Sequence, residues 1–210
     1  MRRLLHCVFR HDGTDVAGAV YSDRLAVATS VWKDQELPDV ARLRAYEQSI
    51  AELHATRTVV PLRFGCVMED QSQILRLLDE REVEFEQLLG ELEGLVEMGL
   101  QIWMKSAPEE PVPAYPGTRY LAAARGRHAG LTSIEEECAR HICGLLAGLY
   151  ERERREARAV AEGRLMSLHF LVARAATGDF RERVRRLDLP HEIKVLVSGP
   201  WPPYNFVDHA

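Results

Sequence analysis

Residues 198–207, Ser-Gly-Pro-Trp-Pro-Pro-Tyr-Asn-Phe-Val, constrain the fold of this chain more than any other segment. They follow an alternating apolar run, which predicts a β-strand and consists of Ile193, Val195 and Val197. The three prolines fix φ near about −65° and remove backbone donors, so this tail cannot continue the strand in the middle of a sheet. We expect an extended or turn conformation across the protein, which fixes the directions of Trp201, Tyr204 and Phe206.

The tail has two interpretations. It is either a clamp that packs on a domain core, since aromatic side chains bury large areas, or a ligand for a proline-recognising module with an aromatic groove. Pro202 and Pro203 stand directly before Tyr204, without the intervening residue of a Pro-Pro-x-Tyr ligand. This spacing favours the clamp.

Composition limits the class of protein. The 210 residues suffice for one large or two small domains, and 46% hydrophobic with 28% charged residues is typical of a globular protein. No apolar run reaches the roughly 20 residues of a membrane helix. The first apolar run ends at Arg10, too soon for a signal peptide, and the four cysteines form no Cys-x-x-Cys pair. We expect a cytoplasmic protein with reduced thiols, bound to no membrane.

Charge is unevenly distributed. The net charge of −5 argues against nonspecific nucleic-acid binding, which requires a cationic surface. Residues 69–97 contain ten acids against two arginines, whereas residues 119–194 are rich in arginine. Such asymmetry indicates solvated faces, or complementary docking between subunits or partners.

The first third of the chain predicts short strands at 4–9, 16–21 and 25–31. A helix begins after Pro38-Asp39, and its predicted buried face consists of Val40, Leu43, Tyr46, Ile50 and Leu53. Residues 59–68 are apolar but contain Pro61 and Gly65, which predicts an edge strand or a structured crossing.

The middle of the chain predicts one long acidic helix over 71–92, with an apolar stripe of Ile74, Leu78, Phe85, Leu88 and Leu92. Strict alternation over 96–104 then predicts a strand, with Val96, Met98, Leu100, Ile102 and Met104 on one face. Four prolines predict a loop at 106–117, after which helix resumes.

The last third begins with a capping-box pattern, Thr132-Ser133 with Glu135 and Glu136, which opens a helix. Its predicted apolar face consists of Ile134, Cys138, Ile142, Leu145 and Leu149. The charged tract 151–156 is expected to extend this helix into solvent. A strand over 166–172, a helix over 179–187 and a strand over 193–197 follow. The order strand, long helix, strand, helix, strand predicts an α+β domain with helices on one face of a sheet.

Catalytic chemistry requires clustered reactive groups, and the sequence shows few. Cys138 and Cys143 lie about 140° apart on a helix, so they cannot bind one tetrahedral ion together with His141. We predict no catalytic, cofactor or metal site. Arg63 stands in an apolar segment, where a guanidinium needs partners, and we expect it to pair with a buried carboxylate or with backbone carbonyls.

Three segments look like the motifs of a known family: residues 60–65 (Val-Pro-Leu-Arg-Phe-Gly), 92–99 (Leu-Glu-Gly-Leu-Val-Glu-Met-Gly) and 199–206 (Gly-Pro-Trp-Pro-Pro-Tyr-Asn-Phe). They resemble segments of the GvpL/GvpF family of gas vesicle proteins. Their order and spacing also agree with the family, and both branches, L and F, stay open. By this resemblance the structural or interaction residues are Pro61, Arg63, Phe64, Gly65, Glu97, Gly99, Gly199, Pro200, Trp201, Pro202, Pro203, Tyr204 and Phe206.

The resemblance implies a non-enzymatic accessory or minor structural protein of gas vesicle assembly, which binds the hydrophobic shell protein and other accessory proteins in the cytoplasm or on the vesicle. It also implies two domains, the second a modified ferredoxin-like fold. We therefore expect an N-terminal α+β domain at 1–70, the acidic helix 71–93 as a joining segment, and the ferredoxin-like domain with its tail at 94–210.

Two other functions stay open. Ferredoxin-like sheets accommodate many ligands, so a ligand-binding sensor or a small-molecule enzyme is the alternative class. The third is an oligomeric scaffold that self-associates. A deep pocket with titratable groups around Arg63 would favour the first of these alternatives.

Overall fold

A computed structural model describes residues 1–32, 40–105, 131–160, 163–189 and 193–207. Within these ranges the chain forms nine β-strands and five α-helices, so the predicted mixture of helix and sheet is confirmed. The chain divides into two compact units: unit 1 is Met1–Val96 with Trp201–Ala210, and unit 2 is Glu97–Pro200. The predicted loop at 106–117 and the helix expected after it lie outside the described residues.

Unit 1 contains a five-stranded sheet around its first strand. The strands are β1 Arg3–Arg10, β2 Val20–Tyr21, β3 Leu25–Val31, β4 Val60–Pro61 and β5 Val67–Met68. The order is β2-β3-β1-β4, with β5 also paired to β1, and each of these pairings is antiparallel. The predicted strand at 16–21 is shorter than expected, because the amide of Ala19 turns back to the carbonyl of Val16 at 3.0 Å.

Helix α1, Val40–Thr56, covers this sheet only in part. Tyr46 and Ile50 are buried as predicted, but Val40 and Leu43 are exposed. The first turns of α1 therefore extend beyond the core. One core cluster of unit 1 consists of Leu4, Cys7, Phe9, Ala26, Ala28, Tyr46, Ile50 and Val59.

The predicted long acidic helix is two helices, α2 Gln71–Glu80 and α3 Glu82–Glu91. Arg81 separates them, with φ −115° and ψ 18°. The amide of Arg81 still donates to the carbonyl of Leu77, and its carbonyl accepts from the amide of Phe85. The interruption contains no glycine or proline that would mark it in the sequence. After it the buried face contains Leu89, where the periodicity predicted Leu88.

Unit 2 is built on a four-stranded sheet with the order β7-β8-β6-β9. In chain order its described elements are β6 Leu95–Lys105, α4 Ser133–Leu145, β7 Arg152–Val160, β8 Gly163–Ala173, α5 Thr177–Arg185 and β9 Ile193–Trp201. The strands predicted at 96–104 and 166–172 are confirmed. Their predicted apolar faces, except for Val96, pack into one core with Ile142, Phe180 and Val184.

The prediction of helix at 151–156 is wrong, since this tract belongs to strand β7. Helix α4 ends at Leu145, and Gly148 then adopts φ +82°, a left-handed conformation that turns the chain back. Strand β7 pairs antiparallel with β8, from Arg152 opposite Leu171 to Val160 opposite Gly163. Because β7 is an edge strand with charges on both faces, it lacks the apolar alternation by which a strand is recognised.

The capping box at the start of α4 is confirmed. The Thr132 hydroxyl accepts from the amide of Glu135 at 3.3 Å, and the Glu135 carboxylate accepts from the amide of Thr132 at 2.6 Å. The predicted apolar face is only partly correct. Ile142 is buried and Ile134 is exposed, and the buried side also contains Ala139, Cys143 and Leu146.

Candidate functional site

The first motif, residues 60–65, begins in strand β4 and ends in a tight turn. Pro61 and Leu62 are buried, and the amide of Leu62 donates to the carbonyl of His6 in β1 at 2.9 Å. The amide of Cys66 then donates to the carbonyl of Arg63 at 3.2 Å, which closes a turn with Gly65 at φ +97°. This φ is readily adopted only by glycine, so the turn explains why the motif contains one.

The turn brings Arg63 to the surface. Its side chain is exposed and makes no hydrogen bond or ion pair with the described residues. The expectation of a buried, partnered guanidinium is therefore wrong. The apolar neighbours in the sequence pack inward, whereas Arg63 stands at the tip of the turn and keeps its charge in water.

An aromatic group lies behind this turn. The ring centroid of Phe64 is 5.1 Å from that of Tyr46 and 6.4 Å from that of Trp32, both edge-to-face. The Tyr46 hydroxyl donates to the carbonyl of Leu62. Burial raises the pKa of Tyr46 above its ordinary range, and the nearby Tyr204 phenol raises it further. Leu62 and Phe64 of the first motif therefore both contact Tyr46.

The second motif contributes two residues to strand β6. Glu97 is only 4% exposed, and its carboxylate accepts a hydrogen bond from Nδ1 of His169 at 2.9 Å. A Cβ atom at Gly99 would lie 2.7 Å from Oγ of Ser198 in β9, so this glycine makes room for the neighbouring strand. Sequence reasoning missed His169, because its contact with Glu97 depends on strands β6 and β8 lying side by side.

The third motif begins inside β9, which extends through Pro200 to Trp201 and is longer than the predicted strand. Pro200 fits there because β9 is an edge strand, where a missing donor is tolerated. Gly199 adopts φ +102°, and a Cβ atom there would lie 2.6 Å from the carbonyl oxygen of Glu97. The Arg181 guanidinium in α5 donates to the carbonyl of Gly199. The second and third motifs are therefore in direct contact.

The tail packs its prolines and presents two aromatic rings. Pro202, Pro203 and Phe206 are buried, while Trp201 is 49% and Tyr204 is 37% exposed. The amide of Phe206 donates to the carbonyl of Pro203 at 3.1 Å, within a short 3-10 turn. Buried prolines favour the clamp interpretation over a ligand for a proline-recognising module.

Some of the acidic residues in and next to α3 form ion pairs within unit 1. Arg10 Nε lies 2.9 Å from the carboxylate of Glu86, and the same guanidinium lies 3.4 Å from Glu93. Arg24 lies 3.2 Å from Glu82. The arginines of these pairs come from β1 and from the turn before β3. Part of the acidic segment is therefore paired with basic residues of the same unit and is not available to a partner protein.

Among the described residues, no group of three or more His, Cys, Asp or Glu side chains could hold a metal ion. Burial raises the pKa of both the Cys7 and the Cys143 thiols to about 12, so both are protonated and unreactive at neutral pH. None of the described helices has the length and apolar character needed to span a membrane.

Comparison with known proteins identifies relatives along nearly the whole chain. The family model described as gas vesicle synthesis protein GvpL/GvpF matches residues 8–208. Gas vesicle protein F of Streptomyces sp. is 29% identical over 206 residues, which cover 88% of this chain and 84% of that protein. Gas vesicle protein F2 of Halobacterium salinarum is 23% identical over 205 residues, which cover 94% of this chain and 84% of that protein.

A solved structure has the same fold. The crystal structure of the gas vesicle protein GvpF from Anabaena sp. is similar with a TM-score of 0.72 and 17% identity, over 100% of this chain and 99% of that chain. Identity this low shows a common fold and no more. The family model, which matches residues 8–208, decides the membership. The chain therefore belongs to the GvpL/GvpF family of gas vesicle synthesis proteins.

Proposed function

We propose that this gas vesicle protein is a non-enzymatic accessory or minor structural protein that binds the hydrophobic shell protein and other accessory proteins, and so nucleates or supports shell formation. Shell subunits with an apolar gas-facing surface are prone to aggregate before they are incorporated. A protein that covers this surface in the cytoplasm, and transfers the subunit to the growing vesicle, would prevent the aggregation.

The exposed motif residues of unit 1 support this proposal. Arg63 at its turn and the rings of Trp201 and Tyr204 are exposed, and they belong to the motifs that carry the family resemblance. Arg, Trp and Tyr are also the residue types that most often dominate binding energy at protein interfaces. We assign shell-protein binding to Arg63, Trp201 and Tyr204, and call these three exposed residues the motif surface.

The architecture and the thiols fit an assembly protein. In unit 2 the described elements follow the order β-α-β-β-α-β with strand order β7-β8-β6-β9, which supports a modified ferredoxin-like domain. We further propose that the chain has two domains, and the division at 1–70, 71–93 and 94–210 stays a prediction. The raised pKa values of Cys7 and Cys143 support a role without catalysis.

A binding measurement with the shell protein tests the proposal. Arg63→Ala should weaken capture of purified shell protein about tenfold, a loss typical of an interface arginine, while its melting temperature stays that of the wild type. Arg185→Ala is the matched control, since Arg185 is also an exposed arginine but lies on α5 of unit 2. Equal binding by wild type and Arg63→Ala would contradict the motif surface. No binding by the wild type, with unchanged vesicles after gene deletion, would contradict the function.

A further inference from the structure

The two edges of the unit 2 sheet differ in how they are protected. In the part of the chain that the structure describes, β7 lies at one edge and β9 at the other. Six of the nine residues of β7 are charged, whereas β9 contains only Lys194. Edge strands offer unpaired N–H and C=O groups, and charged side chains are one way in which proteins prevent another strand from pairing there. Strand β7 has this protection and β9 lacks it.

The side chains of β9 show which face would take part. Ile193, Val195 and Val197 pack against the core of unit 2, so Lys194, Leu196 and Ser198 lie on the opposite face. Nζ of Lys194 is 5.6 Å from the centre of the Trp103 ring, and Ser198 contacts Gly99. The intervening Leu196 is 62% exposed, an apolar side chain in the middle of an open edge strand.

We propose that a second copy of this chain pairs with β9 through its own β9, antiparallel and around a two-fold axis at Leu196. This register places Leu196 opposite its equivalent, Val195 opposite Val197, and Lys194 opposite Ser198. The two exposed leucines become cross-strand neighbours, and no like charges stand opposite each other. A register centred on Lys194 would oppose two cations. The pairing joins two four-stranded sheets into one of eight strands.

Two further features limit this interface to β9 and favour a second copy as the occupant. Pro200 has no amide donor and the carbonyl of Gly199 is bound by Arg181, so the available edge ends there. Unit 2 has 16 basic and 14 acidic residues, a net charge of +2, whereas unit 1 has 11 and 18, a net charge of −7. An isologous contact brings identical units together. Electrostatic repulsion is far weaker between two copies of unit 2 than between two copies of unit 1.

Sedimentation of the full chain over about a hundredfold range of concentration tests this proposal, because a dimer forms by mass action. The wild type should pass from monomer to dimer. Leu196→Lys places two cations opposite each other at the axis and should raise the dissociation constant about tenfold or more. Ile134→Lys is the matched control: Ile134 is also an exposed apolar residue of unit 2, but it lies on α4, and its variant should dimerise like the wild type.

Cross-linking gives a second readout that does not depend on a destabilising change. In Leu196→Cys the new thiols should form an intermolecular disulfide under mild oxidation, because directly opposed residues of this kind have Cβ atoms about 5 Å apart. Ile134→Cys should form no intermolecular disulfide under the same conditions. A monomeric wild type at all concentrations, or equal behaviour of the two lysine variants, overturns the proposal. A monomer whose shell-protein binding is lost in Leu196→Lys also overturns it, since the edge then pairs with a different partner.

Discussion

The buried carboxylate of Glu135 accepts a hydrogen bond from Nη2 of Arg164 at 3.0 Å, and so ties the first turn of α4 to strand β8. Glu135 is only 2% exposed, whereas its neighbour Glu136, which pairs with Arg155 at 2.6 Å, is much more exposed. Burial alone would raise the pKa of Glu135, but the hydrogen bonds from Arg164 and Thr132 outweigh it and hold the pKa below its ordinary value.

Replacing these two glutamates should therefore have very different effects. Glu135→Ala removes the buried carboxylate to which the Arg164 guanidinium donates, and should lower the free energy of unfolding by about 3 kcal/mol. Glu136→Ala removes an exposed pair and should cost less than about 1 kcal/mol. Urea unfolding of both variants at pH 7 measures the difference. Equal losses would show that the Glu135–Arg164 pair contributes no more than a surface ion pair.

Acid should destabilise unit 1 through His6. This side chain is buried between the hydroxyls of Ser49 and Ser30, each 2.9 Å from a ring nitrogen, and burial lowers its pKa from 6.5 to about 4. Because the folded protein binds the proton less readily than the unfolded chain, His6 contributes stability above pH 6.5 that is lost as the pH falls towards 4. The loss should amount to about 3 kcal/mol.

Unfolding of the wild type and of His6→Gln, measured in urea between pH 7 and pH 4, tests this pH dependence. The variant should be less stable at pH 7 and should lose less stability on acidification. His11→Gln, at a half-buried position, serves as the control and should follow the wild type. The same slope in all three proteins would assign the acid sensitivity to other groups.

The two motif glycines with similar φ should respond differently to alanine. Gly199→Ala brings Cβ to 2.6 Å from the carbonyl oxygen of Glu97, a backbone atom that cannot move freely, in addition to the strain of positive φ. Gly65→Ala meets only that strain, because nothing lies within 4 Å. We expect Gly199→Ala to lower the free energy of unfolding by about 3 kcal/mol or more, and Gly65→Ala to lower it by about 1 to 2 kcal/mol. Thermal melts of the two variants should rank Gly199→Ala well below Gly65→Ala, and the reverse order would contradict the contact.

The hydroxyl and the ring of Tyr46 should contribute separately to stability. Tyr46→Phe leaves the carbonyl of Leu62 without its donor and should cost about 1 to 2 kcal/mol. Tyr46→Ala also removes the edge-to-face contacts with His6 and Phe64 and opens a cavity, for a total of about 3 to 5 kcal/mol. Chemical unfolding of both variants checks this. If Tyr46→Phe has the same free energy of unfolding as the wild type, the hydrogen bond to Leu62 makes no net contribution to stability.

Sequence periodicity predicted the elements that have one face in the core. Strands β6 and β8 alternate strictly because their apolar faces pack on helices, and the capping box at Thr132 is a local signal that needs no tertiary context. Strand β7 was missed because an edge strand with charges on both faces resembles a solvated helix. The interruption at Arg81 was missed because no glycine or proline marks it.

The site was predictable only where local sequence decides it. The positive φ at Gly65 follows from a turn, but the exposure of Arg63 depends on how that turn lies on β1. The Glu97–His169 hydrogen bond requires that β6 and β8 lie side by side, which periodicity within either strand does not encode. Contacts between distant strands are therefore the part of the site that the sequence alone could not supply.

Unit 1 is made from two stretches of chain separated by the whole of unit 2. During synthesis its sheet and helices leave the ribosome first, but the residues that complete it, Trp201 to Phe206, leave only after unit 2 has been translated. Proteins with contiguous domains fold from the N-terminus as they emerge. Here unit 1 cannot complete its fold, and part of its surface stays uncovered, until the last residues have been translated. A stalled or truncated nascent chain therefore lacks part of unit 1 and is a substrate for chaperones and proteases.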